Sequence, residues 1–199
     1  ELYKLRRKFM SHADGLIHAD LHTSNILASR DEMKVIDMEF AFMGPFGYDL
    51  GYLVGNLISQ YCAACFKRFP SEQNRKQFKA YLLATIKSLI ETYMKTFTLC
   101  WERSVKERYR GQQGLLQSIL QEVMVDMPGY ASMVNWFRSV SDIPYPDFDV
   151  IENKDAKRNA TVLSLMIDWG IMFGRYKYQS ADDLIETIIG IEEEFRKSL

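Results

Sequence analysis

Between Tyr48 and Lys67 the chain runs YDLGYLVGNLISQYCAACFK, and no other stretch constrains the fold as much. Apolar residues fall on nearly every side of a helical wheel, so this segment has little polar face to offer solvent and reads as a helix buried by others. The flanking sequence predicts the helices that could bury it. Residues 1–12 form an amphipathic pattern, with Leu2, Leu5 and Phe9 on one stripe and Lys4, Arg6, Arg7 and Lys8 on the solvated side. Ser71 caps a helix to about residue 97 that carries Phe78, Leu82, Ile86, Leu89, Ile90 and Tyr93 at helical spacing. Further helices are expected over 99–110, over 114–127 up to the stop signal Pro128-Gly129, and over 130–140. Pro144 and Pro146 make the following segment an extended loop. Helix 153–174 comes next, and Ser180 with Asp183 in a capping-box pattern starts the last helix, to about residue 197.

Strands are confined to the beginning of the chain. Residues 15–19, 26–29 and 33–37 are short β segments, the last two joined by the charged turn Arg30-Asp31-Glu32. The expected fold class is therefore α+β, predominantly α-helical, with a small β-region near the N-terminus. A single unit spans residues 1–199, divided into a core over 1–56 and a helical subdomain over 57–199.

Bulk composition narrows the partners. The net charge is −1 and 47% of residues are hydrophobic, which gives no reason to expect nucleic acid or a membrane surface as partner. No apolar run approaches the ~20 residues of a membrane span. Three cysteines, Cys62, Cys65 and Cys100, form no even framework and point to a reducing, cytoplasmic setting. Cys62 and Cys65 make a CxxC, but no second pair completes a zinc set, and both read as residues of the buried helix.

Chemistry concentrates in the β-region. The stretch LIHADLHTSN, residues 16–25, crowds His18 and His22 around Asp20 and ends on Asn25; KVIDMEF follows with Asp37 and Glu39. Two carboxylates and an amide oxygen are hard donors of the kind Mg²⁺ takes, and they do not suit zinc. Taken singly, Asp20 or Asp37 could equally bond backbone N–H groups in a tight turn. The set Asp20, Asn25 and Asp37, in that order and spacing, favours a metal-assisted site.

HADLHTSNIL followed by KVIDMEFAFMGPFGYDLG resembles the catalytic core of the aminoglycoside phosphotransferase and choline kinase superfamily, with its His-x-Asp-x-x-x-x-Asn loop. Within it the similarity is to the methylthioribose kinase family, strongest over residues 1–56. The resemblance implies the C-terminal lobe of a protein-kinase-like fold, and an ATP- and Mg²⁺-dependent transfer of phosphate to a hydroxyl of methylthioribose or a related sugar. It implies that Asp20 orients the acceptor hydroxyl, that Asn25, Asp37 and Glu39 bind metal, and that His18, His22 and Asp49 support the loop. The family's paired arginines for the sugar have Lys157-Arg158 as nearest counterpart, with Arg175 as another candidate. Two further departures are Ala19 where that family usually carries Gly, and Ser24-Asn25 where it carries Gly-Ser. The Gly-rich loop and strand lysine of an N-terminal lobe do not occur in these residues, so the expectation is a C-lobe alone. The alternatives are a kinase for choline, homoserine or an aminoglycoside, and a non-catalytic or split-kinase remnant that binds a partner. The expected partner is a small-molecule hydroxyl substrate, and a homodimer is left open.

Overall fold

Helix α2 (Gly47–Phe66) is the axis of the molecule, whose computed structural model describes all 199 residues. Val54, Ile58 and Cys62 along it are completely buried, as its unbroken apolar character requires. Around it pack α3 (Glu72–Ser104), α4 (Gln113–Val140) and α6 (Lys154–Gly174), and α7 (Ala181–Ser198) closes over α3 and α6. The core joins Leu82, Ile86 and Ile90 of α3, Val123 and Met127 of α4, Leu163, Ile167 and Ile171 of α6, and Leu184 and Ile188 of α7. Helix α1 (Leu2–Ser11) lies across α4 and seats Leu5 in a smaller cluster with Tyr130 and Met172.

Close approach of α2 and α4 depends on two glycines. A Cβ at Gly51 would lie 2.6 Å from the Met127 carbonyl oxygen, and one at Gly55 would lie 2.6 Å from that of Ala131. Because 51 and 55 are one turn apart, as are 127 and 131, the two backbones meet along a shared stripe.

Four short strands form two antiparallel ribbons. Strand β1 (Gly15–Ile17) pairs with β4 (Phe42–Gly44), Leu16 opposite Met43, while β2 (Ile26–Ala28) pairs with β3 (Met33–Val35), Leu27 opposite Lys34. The Arg30-Asp31-Glu32 turn forms as expected, because Ser29 Oγ accepts from the Asp31 and Glu32 amides at 3.3 and 3.0 Å. The expected caps are also present: Ser71 Oγ accepts from Asn74 N–H, and Ser180 and Asp183 complete the reciprocal capping box of α7.

The helical reading needs three corrections. Helix α3 continues where a break near residue 98 was expected; Thr98 bonds its hydroxyl to the Met94 carbonyl at 2.9 Å, and Tyr93, Phe97 and Trp101 stack along one face. Pro128 does not stop α4. The proline withholds an amide from the Met124 carbonyl, but the helix is held on both sides of it by tertiary contacts: Arg175 donates to the neighbouring Val125 carbonyl at 3.1 Å, and Gly129 packs against Leu5. In the proline-containing loop, residues Pro146–Asp149 wind into one helical turn, α5, which starts on a proline.

Polar groups are also buried between α2, α4 and α6. Ser59 donates to Asn135 Oδ1 at 2.7 Å, Asn135 donates to Asp168 Oδ1 at 2.8 Å, and Ser132 donates to the Asp168 carbonyl at 3.0 Å. Asp168 Oδ2 has no partner. Burial pushes the Asp168 carboxyl up to about 8, against the opposing effect of the Asn135 bond. The native protein thus keeps a proton that the unfolded chain releases near pH 4. Since the native state binds the extra proton, stability should fall as pH rises from about 4 to about 8. Urea midpoints measured across that range should decline for the wild type and decline less steeply for Asp168→Asn.

Candidate active site

The loop between β1 and β2 is pinned from below. Asp49, in the first turn of α2, accepts the His18 amide at 2.6 Å and the Ala19 amide at 3.0 Å, one on each carboxylate oxygen. Burial raises the Asp49 carboxyl, while these two amides and the nearby His18 pull it back. His18, 5% exposed, then ties the loop to the next motif. Its Nδ1 accepts from the Asp20 amide at 3.3 Å, so Nε2 carries the proton and donates to the Ile36 carbonyl at 2.8 Å. A third link is the Ile36 amide, which donates to the Asn25 carbonyl at 3.0 Å and sets Asp37 next to the loop's far end.

These constraints force unusual backbone. Ala19 has φ +68° and Asp37 φ +66°, the two left-handed non-glycine residues in the chain. Each sits where the pinning fixes the backbone: Ala19 bonds Asp49 through its own amide and is spanned by the His18–Asp20 bond, and Asp37 directly follows Ile36. Left-handed backbone costs an alanine roughly 1–2 kcal/mol, and such strain persists only where surrounding bonds impose it.

Within this frame Asp20 is presented to solvent on the loop. Its side chain is 26% exposed and its Oδ2 is 3.4 Å from His22 Nε2. Asn25 is 5% exposed and spends its amide N–H on the Asp20 carbonyl at 3.1 Å. That bond orients the side chain and leaves Oδ1 without a protein partner. Asp37 is exposed, as is Glu39 on the turn closed by Ala41 N–H to the Met38 carbonyl. The chemistry of this donor set fits Mg²⁺: an oriented amide oxygen and accessible carboxylates, all hard oxygens. No group of three His, Cys, Asp or Glu side chains gathers anywhere to hold a metal, so the fit rests on Asn25 and Asp37, with Glu39 close in sequence.

The residues proposed for the sugar fare differently. Lys157 pairs with Asp149 of α5 at 2.6 Å, and Arg158 is exposed without an ion pair. Arg175 has to be corrected. It is 2% exposed, and its guanidinium is held by the Val125 carbonyl, by Glu1 at 2.8 Å and by the Tyr176 hydroxyl, with Asp126 at 3.5 Å. It is a buried brace for α1 and α4, with no open face for a ligand. Cys62 and Cys65 are buried free thiols in the core, and burial pushes Cys65 up to about 12.

The sequence did not single out the polar stripe on α2. Asn56 Oδ1 accepts the Thr23 amide at 3.5 Å and its Nδ2 donates to the Tyr52 carbonyl at 3.0 Å. Gln60, one turn on, bonds Asp147 of α5. Asp147 also takes Arg138 at 2.7 Å, and Arg138 lies 4.5 Å over the Tyr145 ring. Spacing of three and four from Asp49 could have flagged Tyr52, Asn56 and Gln60 as one face turned toward the loop.

Residues 2–89, which contain the Asp20 loop, Asn25, Asp37, Glu39 and Asp49, match the phosphotransferase enzyme family. The chain thus resembles that family over less than half of its length. It is also similar, over most of its length, to proteins named methylthioribose kinase. Identity is 32% to the protein of Geobacillus thermodenitrificans over 192 residues, 96% of this chain and 46% of the relative. It is 33% to that of Geobacillus kaustophilus, over 92% of this chain and 44% of the relative. The protein of Exiguobacterium sibiricum is 36% identical over 131 residues, 66% of this chain. The chain spans just under half the length of the first two relatives. The mostly helical lobe with a small β-region agrees with the kinase-like lobe that the sequence implied. No helix is long and apolar enough to cross a membrane.

Ala19 offers a direct test of the strain. Ala19→Gly should raise stability by about 0.5–1 kcal/mol, the left-handed cost recovered less the entropy that glycine adds to the unfolded chain. A urea unfolding titration of the variant against the wild type measures it.

Proposed function

We propose that this chain carries the acceptor-orienting and metal-binding part of an ATP- and Mg²⁺-dependent small-molecule kinase, whose acceptor is a hydroxyl of 5-methylthioribose or a related sugar. The observation that carries this reading is Asp20 on a loop fixed by Asp49 and His18, with the Asn25 amide bonded to its carbonyl and the segment bearing Asp37 tied to the same loop through Ile36. The family match and the relatives' names support it.

Phosphoryl transfer with a loose transition state needs positioning and charge stabilisation more than proton chemistry. Asp20 accepts a hydrogen bond from the acceptor hydroxyl and turns its oxygen toward the γ-phosphate in line with the leaving group. Asn25 Oδ1 and the Asp37 carboxylate are the residues that would hold Mg²⁺, with Glu39 adding a carboxylate directly or through water. When bound, the metal supplies neutralisation of the phosphate charge. His18 keeps the Asp20 and Asp37 segments in register, since one imidazole bonds both.

A second reading has one observation in its favour. Leu27, Met33, Val35, Met38 and Phe40, on and after the β2–β3 hairpin, are all more than 40% exposed. A module that works by docking or by pairing with itself would use such a face.

Asp20→Ala should reduce phosphate transfer to methylthioribose by about a hundredfold or more while leaving the circular dichroism spectrum and melting curve in place. Steady-state assay with Mg-ATP and methylthioribose checks it, with choline, homoserine and an aminoglycoside as competing acceptors. Turnover that survives the substitution excludes Asp20 from the reaction.

A further inference from the structure

One residue beside Asp20 has no part in the arrangement so far. Tyr52 lies on α2 three residues after Asp49 and four before Asn56. Asp49 bonds the amides of residues 18 and 19, and Asn56 bonds the amide of residue 23. Residues three and four apart share a helix face, so Tyr52 points at the intervening stretch, residues 20–22, where Asp20 stands. The Asp20 carboxylate has His22 Nε2 3.4 Å from Oδ2. Tyr52 itself is half-buried, its ring 5.9 Å from that of Tyr48 in an edge-on contact.

We propose that Tyr52 is a positioning residue for Asp20: its hydroxyl donates to the carboxylate from the α2 side, opposite to the open side from which the acceptor hydroxyl approaches. The proposal rests on the kinase reading above and deepens it. A carboxylate that must orient a hydroxyl needs its own rotation stopped, and a loop aspartate held only through its backbone is free to turn about its side-chain bonds. The phenol of Tyr52 suits the task chemically. Burial, and after it the neighbouring Asp20 carboxylate, push its proton loss well above the ordinary tyrosine range, so it stays a donor throughout the neutral range. The same helix carries Gln60, which bonds Asp147 of the segment bearing Tyr145, so that segment and the Asp20 loop are anchored on one rigid element.

The test is Tyr52→Phe, which removes one oxygen and keeps the ring. In the purified protein, assayed with Mg-ATP and methylthioribose, kcat should fall roughly tenfold while the KM of the acceptor stays within about twofold. The melting temperature should not change. Independently of turnover, the side-chain carboxyl ¹³C resonance of Asp20 should shift in Tyr52→Phe while that of Asp183, in the capping box of α7, stays put. An unchanged kcat, a rise in KM with kcat untouched, or an unmoved Asp20 resonance each overturns the proposal. If the wild type transfers phosphate to no acceptor but the resonance shifts, the kinase reading falls and the Tyr52 contact stands.

Discussion

Everything in the site hangs from the carboxylate of Asp49. Two consecutive loop amides converge on its two oxygens, and this requires the backbone at Ala19 to turn left-handed. With residues 18 and 19 fixed, the His18 ring has one place to go. It reaches the Ile36 carbonyl and draws the second motif to the first. Asp20 then leaves the loop at a defined point, with Asn25 bonded to its carbonyl and to the amide of Ile36, the residue before Asp37. Asp49 itself touches no reacting atom. Its job is to hold amides that would otherwise seek water, and that is why it sits in the first turn of a buried helix, where a carboxylate is also favoured by the helix dipole.

The division between strands and helices follows from this. The ribbons are too short to be stable as isolated sheets, and they persist because the loop between them is bonded to α2. The helical body is stable for the usual reason, a large apolar core, and it tolerates buried polar groups where they are paired. Glu192 shows the principle: burial opposes its charge, yet Tyr61, Lys79 and Arg196 donate to it and hold it down at about 2. Asp168, with one oxygen unpartnered, is the opposite case in the same core.

Much of this was legible in the sequence because it is local. The caps at Ser71 and Ser180, the charged hairpin turn and the all-apolar α2 each follow from residues a few positions apart. The motif order from Asp20 to Asp37 marked the candidate site for the same reason. What escaped depends on distant partners. Strand β4 has no alternation of its own and forms because Gly44 lets Ile17 approach, where a Cβ would lie 2.4 Å from the isoleucine. Pro128 reads as a stop until Arg175, from the end of α6, is seen bonding the next carbonyl. Arg175 reads as a free cation until Glu1, at the other end of the chain, pairs with it. Tyr52 hid in a helix with two other tyrosines, Tyr48 and Tyr61, of which Tyr61 is core.

The glycines at 51 and 55 have a bearing beyond packing. They are the points where α2 touches the backbone of α4, and they lie along the helix between Asp49 and Asn56, which hold the loop. The helix therefore acts as a key seated in α4: its angle about its own axis is set by backbone contact, with no flexible side chain between. Any substitution that rolls α2 within that seat turns all of the loop's anchors together and re-aims Asp20. Sensitivity of the chemistry to core changes well away from the site is thus built into how closely two helices approach.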